Sequence, residues 1–321
     1  MAKSNVHEAA LITESSEPSD PSARRTNTPP VAVCVPLYRK EEFIADTIRS
    51  VLAQTFTDFE LIVLDNASPD RSGEIARSFD DPRVVVVKNK ETIGATENFA
   101  KAVSLSRAPL LKVLSADDLI HPECLERQVE VLNRNEKLAM VTCRHNVIDE
   151  AGHLLAPDRT LRTRDLVGPQ DRETVIRRII RHGGNPIGNP GNVLFRRTAF
   201  DAAGGFADEE FFTLDISTWI RLLEHGGYFG MPETLTSFRI NSGSHTTELG
   251  GEAIRLQREF IVGLRRANSE IVRSNDVIYG ALRAPLTRVR HHMLFAAAGP
   301  PRSVRRRAAL KLLALGRNVK S

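Results

Sequence analysis

From residue 31 the chain alternates short apolar runs with stretches in which apolar residues return every three or four positions. Val31-Ala32-Val33-Cys34-Val35 has the length of a strand and is stopped by Pro36. Phe43, Ile44, Thr47, Ile48, Val51 and Leu52 then share one helical face, predicting an amphipathic helix from about Glu41 to Gln54. Phe59 to Leu64 is the next strand and closes a βαβ unit of about 30 residues, which calls for parallel pairing and a right-handed crossover. Ser68-Pro69 opens a helix reaching about Phe79, Val84 to Val87 is a third strand, and Gly94 to Leu105 is a helix. Leu110 to Leu114 is a fourth strand, and Pro122 sits where the first turn of another helix would begin. Kept up from Val31 to Cys143, this alternation predicts a doubly wound α/β domain.

Each strand ends in residues that can do chemistry. Pro36-Leu37-Tyr38, Asp65-Asn66 and Asp117-Asp118 all fall at carboxyl ends, where open α/β sheets bind ligands. Two adjacent carboxylates offer hard oxygen ligands to Mg²⁺ or Mn²⁺, with other positions left to water and substrate phosphates. Asp118 could equally cap the helix that follows it. Three polar ends on one sheet edge point to a nucleotide or phosphate site. No G-x-G-x-x-G follows the first strand and no P-loop occurs, which disfavours a dinucleotide dehydrogenase or an ATPase.

Composition narrows the class. The chain has 321 residues, 41% of them hydrophobic and 26% charged, values of a globular protein able to bury a full core. No run approaches the 18 apolar residues of a membrane span, and the first residues lack a signal-peptide pattern. Residues 1–30, rich in Ser, Pro, Glu and Arg, read as a disordered leader. Cys34, Cys124 and Cys143 show no metal-type spacing and read as reduced packing residues of a cytoplasmic protein. Net charge is +4, but residues 281–321 hold ten Lys or Arg and no acid, leaving −6 on the preceding 280. Such a tail fits an anionic surface, and without an aromatic residue beside its basic cluster it does not fit nucleic acid. Met293, Leu294 and Phe295 with Arg302, Arg305, Arg306, Arg307 and Lys311 make an amphipathic basic end. It either lies on an anionic membrane, on the inner face of the cell membrane, or packs on its own domain.

Taken in order, VAVCVPLYRKEEFIADTIRSVLAQTFTDFELIVLDNASPD, IGATENFAKAV, LLKVLSADDLIHPECLERQVEVL, GNPGNVLFRRTAFDAAGGF and FFTLDISTWIRLLEHG resemble the family 2 glycosyltransferases. The resemblance runs from about Val31 to Ser244. It implies a GT-A type doubly wound mixed sheet over residues 31–248 with a mostly helical, basic extension over 249–321. Residues 31–143 would be the nucleotide-sugar and metal half, and 144–248 the acceptor half. It also implies an inverting, metal-dependent hexosyl- or deoxyhexosyltransferase. Such an enzyme moves sugar from a nucleotide diphosphate to a saccharide or lipid-linked acceptor, in bacterial polysaccharide or glycolipid assembly.

The same resemblance assigns roles. Pro36 and Tyr38 would flank the nucleotide base, Asp65 would bind the nucleotide, and Asn66 would accept the imide proton of the base through its amide oxygen. Asp118 would hold Mn²⁺ or Mg²⁺ with Asp117 beside it near the ribose. Relatives often carry His where Asn241 stands, and His245 could substitute if its loop folds back. Asp215 would be the catalytic base, raised toward use by burial near Phe211, Phe212 or Trp219. Gly204-Gly205 would supply a turn at positive φ. Two rival readings are a nucleotidyltransferase on a similar sheet, disfavoured because PLYRKEE holds no glycine, and a non-catalytic nucleotide-sugar-binding assembly partner.

Overall fold

The computed structural model describes residues 28–159, 166–206, 210–241, 251–283 and 289. The strands are β1 (Val31–Leu37), β2 (Phe59–Asp65), β3 (Val84–Lys88), β4 (Leu110–Val113) and β5 (Leu119–Ile120). After them come β6 (Leu138–Ile148), β7 (Leu154–Arg159), β8 (Gly168–Gln170), β9 (Val193–Arg196) and β10 (Gly227–Arg239). All described strands join one mixed sheet in the order β3-β2-β1-β4-β9-β6-β10-β5, with β7 on β6 and β8 on β10. β1, β2, β3 and β4 pair in parallel, as the βαβ pattern requires. β9 then runs antiparallel between β4 and β6.

The sheet is covered on both faces, which is why its central strands are nearly continuous apolar runs. Val31, Val33 and Val35 of β1 pack with α1 (Ile44–Leu52), α2 (Ser72–Arg77) and α4 (Cys124–Arg134). Ala32 and Cys34, pointing the other way, pack with α3 (Ala95–Ser104), α5 (Arg172–His182), α6 (Arg197–Ala202) and α7 (Leu214–Leu222). Trp219 is fully buried in this second layer and is a core residue. The helix Gly251–Ala267 belongs to the same layer, where Leu264 is buried.

Element boundaries differ from expectation where side chains intervene. α1 starts at Ile44, because Phe43 N and Ile44 N both donate to Lys40 O and close a turn first. α2 starts at Ser72, where the Asp70 carboxylate accepts from Ser72 N at 3.1 Å, after Ala67 has turned the chain at φ 51°. The boundary expected at residue 143 falls inside β6, whose apolar start Leu138–Cys143 runs on without a break into Arg144-His145-Asn146. Two short strands have no periodic signature. β5 pairs antiparallel with Thr236 and Ser237 of β10, and β9 has four residues.

A further helical stretch, 274–283, is clamped to α5. Asp276, fully enclosed, accepts from Arg177 Nε at 2.9 Å, from Arg181 Nε, and from Arg273 N at 3.0 Å. Burial alone would raise its carboxyl, but Arg177, the Arg273 N–H and Arg181 outweigh it and hold the pKa down to about 2. Ile278, Tyr279, Leu282 and Val289 remain more than half exposed. Among the described residues no helix is long and apolar enough to cross a membrane. The expected leader up to residue 27, residues 242–250 with His245, and the basic end from residue 290 lie outside the described residues.

Candidate active site

The carboxyl ends of β1, β2 and β4 open onto a cleft of about 680 Å³, lined among others by Pro36, Tyr38, Lys40, Asn66, Asp117 and Asp215. Tyr38 is 40% exposed, an aromatic face presented to the cleft rather than to a core. Ile93 and Asn98 line one end, and Phe99, Phe206, Phe211 and Phe212 line an apolar wall that runs to Asp215. Phe99 meets Phe206 and Phe211 edge-on, with centroids 6.0 and 5.3 Å apart, so the wall is a packed unit.

Asp65 does not line the cleft. It is 1% exposed, and its Oδ1 accepts from Ser68 N at 2.9 Å, the capping role open to an Asp at this position. Its other oxygen tucks against α2, where a Cβ on Gly73 would lie 2.1 Å away, so only glycine leaves room. Asn66 does line the cleft, but its oxygen is engaged twice. It accepts from Ile93 N at 3.0 Å and from Asn89 Nδ2 at 2.9 Å, while its own Nδ2 donates to Ile93 O at 2.9 Å. An amide oxygen has two lone pairs, so the expected acceptance of a base imide proton does not fit this geometry. Asn66 instead pins the 92–93 loop over the end of β2.

Asp117 and Asp118 occupy the sharp link between β4 and β5, and they face differently. Asp117 lines the cleft, and its Oδ2 takes Lys40 Nζ at 2.8 Å and Asn241 Nδ2 at 2.7 Å. Asp118 is 3% exposed and tucked behind, its Oδ1 accepting from Arg239 N at 2.9 Å. Burial first, and then the charge of Asp117, push its carboxyl well above the ordinary range, with the Arg239 N–H opposing. Among the described residues nothing hydrogen-bonds to Asp117 Oδ1 or Asp118 Oδ2. Nor do three or more His, Cys, Asp or Glu converge there. With Asp117 Oδ2 already paired to Lys40, Asp117 Oδ1 and Asp118 Oδ2 are the oxygens that would hold a Mg²⁺ or Mn²⁺ ion, completed by phosphate and water.

Asp215 begins α7 on the far wall and is half-buried. Ile216 N donates to its Oδ1 at 2.7 Å and Asn185 Nδ2 to its Oδ2 at 2.9 Å. Burial raises its pKa to about 6 against the opposing pull of these N–H groups. Asn185 is itself locked, accepting from Ile187 N and Gly188 N at 3.0 and 3.1 Å. The Gly-rich loop from Gly183 to Asn192 thereby becomes a frame for Asp215 and brings Asn189 and Pro190 to the cleft. Lys112, fully buried below, donates to Gly191 O at 2.6 Å and holds the loop from beneath. Gly204 and Gly205 have φ of 81° and 67°, the positive values expected of that turn.

Three residues at the site carry no signal in the sequence pattern. Lys40 looks like a solvated charge after a strand, Asn185 like one more polar residue in a Gly/Pro loop, and Arg239 like a strand end. Arg239 in fact donates from Nε to Asp117 O at 2.9 Å and so spans the link. His145 is a structural residue, its Nδ1 accepting from Asn192 Nδ2 at 3.1 Å, and burial pushes its pKa down to about 4. The three cysteines are free and buried, and the fold brings Cys124 and Cys143 into hydrogen-bond contact although they are distant in sequence.

The chain is similar to known proteins of one family. The family model described as glycosyl transferase family 2 matches residues 32–204. An uncharacterised protein of Mycobacterium tuberculosis (strain CDC 1551 / Oshkosh) is 28% identical over 229 residues, which cover 69% of this chain and 70% of that protein. The chain spans only 40% to 45% of relatives from Rickettsia and Methanocaldococcus jannaschii that are named glycosyltransferases. Among solved structures, S. aureus TarS 1–349 in complex with UDP-GlcNAc aligns with a TM-score of 0.54 at 16% identity, over 71% of this chain and 65% of TarS. The mannosyltransferase PcManGT from Pyrobaculum calidifontis, in complex with GDP-Man and Mn²⁺, aligns at 0.52 and 18% identity, over 92% of this chain and 82% of its own.

Proposed function

This chain belongs to glycosyl transferase family 2 and has the GT-A fold, and from that premise we propose that it transfers a sugar, with inversion, from a nucleoside diphosphate to a hydroxyl of a saccharide or lipid-linked acceptor. The observation that carries the reading is Asp215, a carboxyl with its pKa raised to about 6 on the wall of the cleft that Asp117 also lines. A base poised one unit below neutral is ionised at working pH yet still able to take a proton.

In this reading Tyr38 packs on the base and the 92–93 loop, held by Asn66, borders it. The donor sugar lies along Phe99, Phe206 and Phe211. Asp215 takes the proton of the acceptor hydroxyl as that oxygen forms its bond to the anomeric carbon from the face opposite the leaving group. The bond from the anomeric carbon to the diphosphate oxygen breaks with its electron pair, and the nucleoside diphosphate departs. A divalent cation, Mn²⁺ or Mg²⁺, held by Asp117 and Asp118, would supply positive charge to the diphosphate. TarS with UDP-GlcNAc and PcManGT with GDP-Man and Mn²⁺ support a donor of this class without choosing between bases.

Calorimetric titration with UDP, GDP, dTDP and CDP, each with and without Mn²⁺, tests the site. One diphosphate is expected to bind more tightly than the rest. Binding of none to folded protein would leave the chain an assembly partner without a donor.

The lipid-linked option is supported by the exposed Ile278 and Leu282, four residues apart in the helical stretch 274–283, which the basic sequence after residue 281 follows in the chain. The protein is expected to sediment with vesicles containing anionic lipid, and Leu282→Glu to weaken that at least about fivefold. Equal sedimentation of variant and wild type would remove the membrane from the reading.

A further inference from the structure

Lys40 stands on the cleft wall with its ammonium 2.8 Å from Asp117 Oδ2 and 3.3 Å from Asn241 Oδ1. Its side chain is 15% exposed and that of Asp117 11%, so this is an enclosed pair rather than a loose surface contact. Asn241 closes the triangle, donating to the same carboxylate oxygen at 2.7 Å.

The backbone is arranged to put the ammonium there. Arg39 takes φ 52°, a left-handed conformation that strains a non-glycine residue. The two residues after β1 are laced to the β2–α2 turn, with Ser68 Oγ accepting from Arg39 N at 3.3 Å and Ser72 Oγ from Lys40 N at 2.7 Å. Arg71 N donates to Glu41 Oε2 at 3.0 Å, tying the loop from the other side. The stem of Lys40 therefore leaves from a fixed point, and the strain is concentrated next to the residue that reaches the cleft.

We propose that Lys40 is a diphosphate-binding residue of the donor site, whose ammonium passes from Asp117 to a phosphate oxygen of the bound nucleoside diphosphate and competes with a divalent cation for Asp117. The inference rests on the reading of the cleft as a donor site. Carboxylate and phosphate oxygens are equivalent partners for an ammonium, so the exchange keeps its charge paired throughout. Lys40 would give up Asp117 to a divalent ion held there, since the two positive charges repel, and would then be available to the phosphate. The chain thus brings a cation of its own, and part of its diphosphate affinity does not depend on metal.

The test uses the full chain with Lys40→Met, which keeps the length of the stem and removes the charge, and with Lys40→Arg. The probes are Mn²⁺ alone, followed by the paramagnetic resonance of the free ion, and the four diphosphates titrated in EDTA. Lys40→Met is expected to weaken metal-free diphosphate binding by about tenfold to a hundredfold and to tighten Mn²⁺ binding severalfold. Lys40→Arg should restore most of the diphosphate affinity. A loop that had merely lost its shape would weaken both. The proposal is overturned if Mn²⁺ binding is unchanged or weaker in Lys40→Met, or if wild type binds diphosphate only with metal. If wild type binds no diphosphate under any condition, the donor-site reading itself falls.

Discussion

Asp215→Asn is expected to lower sugar transfer by about 10²–10⁴-fold while leaving nucleoside diphosphate binding within about twofold. The amide keeps the size of the side chain and cannot take the proton, though it also gives up one of the two oxygens that accept from Ile216 N and Asn185 Nδ2. Wild-type kcat/KM should fall on the acid side below about pH 6, where the carboxyl is held by its partial burial. Asn185→Ala removes the N–H that favours the charged carboxylate at 2.9 Å, so that limb should move to higher pH. The same group leaves a mark on stability. Its folded pKa of about 6 lies above the ordinary 3.8, so its contribution is fully present below about pH 4 and is lost as pH rises through 6. The loss is on the order of 1–2 kcal/mol after discounting for the side open to the cleft. Melting curves at pH 4 and pH 7 should therefore show the Asn variant gaining on wild type at the higher pH. Transfer within a few-fold of wild type would place the base elsewhere.

Asp118→Asn is expected to remove the metal-dependent part of donor binding, about 10²-fold or more, and transfer with it. The variant is a clean one. Asn still offers an oxygen to Arg239 N, the contact made at 2.9 Å, so the end of β10 stays in place. It also relieves a carboxyl whose ionisation is opposed by burial and by Asp117. Folding should not suffer, and a fall in affinity will report on the cation alone. The readout is the ratio of diphosphate affinity with Mn²⁺ to that in EDTA, which should approach one. A ratio equal to wild type would mean the ion is not held by this pair.

The parts of the site legible in the sequence are those that sit where a strand stops. Pro36, Tyr38, Asp117 and the run of β1 to β4 are fixed by short-range pattern, and the structure puts them on one edge. Asp215 was legible through the resemblance and its place ahead of an apolar helical face. The rest depends on what other segments do. Asp65 turns inward because Gly73, eight residues on, leaves it room, and Asn66 is occupied because the 92–93 loop folds over it. β5 and β9, with two and four residues, are too short for a period to register. They are strands because of the neighbours they meet. His245, expected as a reserve metal ligand, lies outside the described residues.

The insertion of β9 between β4 and β6 has a consequence for how the chain is made. Leu111 pairs with Phe195, and Met140 pairs with the same residue from the other side. A ribosome that has just delivered β6 has built every donor-side strand but not the one that separates β4 from β6. At about 5–20 residues per second that interval lasts roughly 2–9 s. Throughout it two apolar strand edges stand open and can pair with each other or with a neighbouring chain. Arrival of Val193-Leu194-Phe195 closes the gap between β4 and β6, so slower translation across residues 149–196 lengthens the time these two edges are open to a wrong partner.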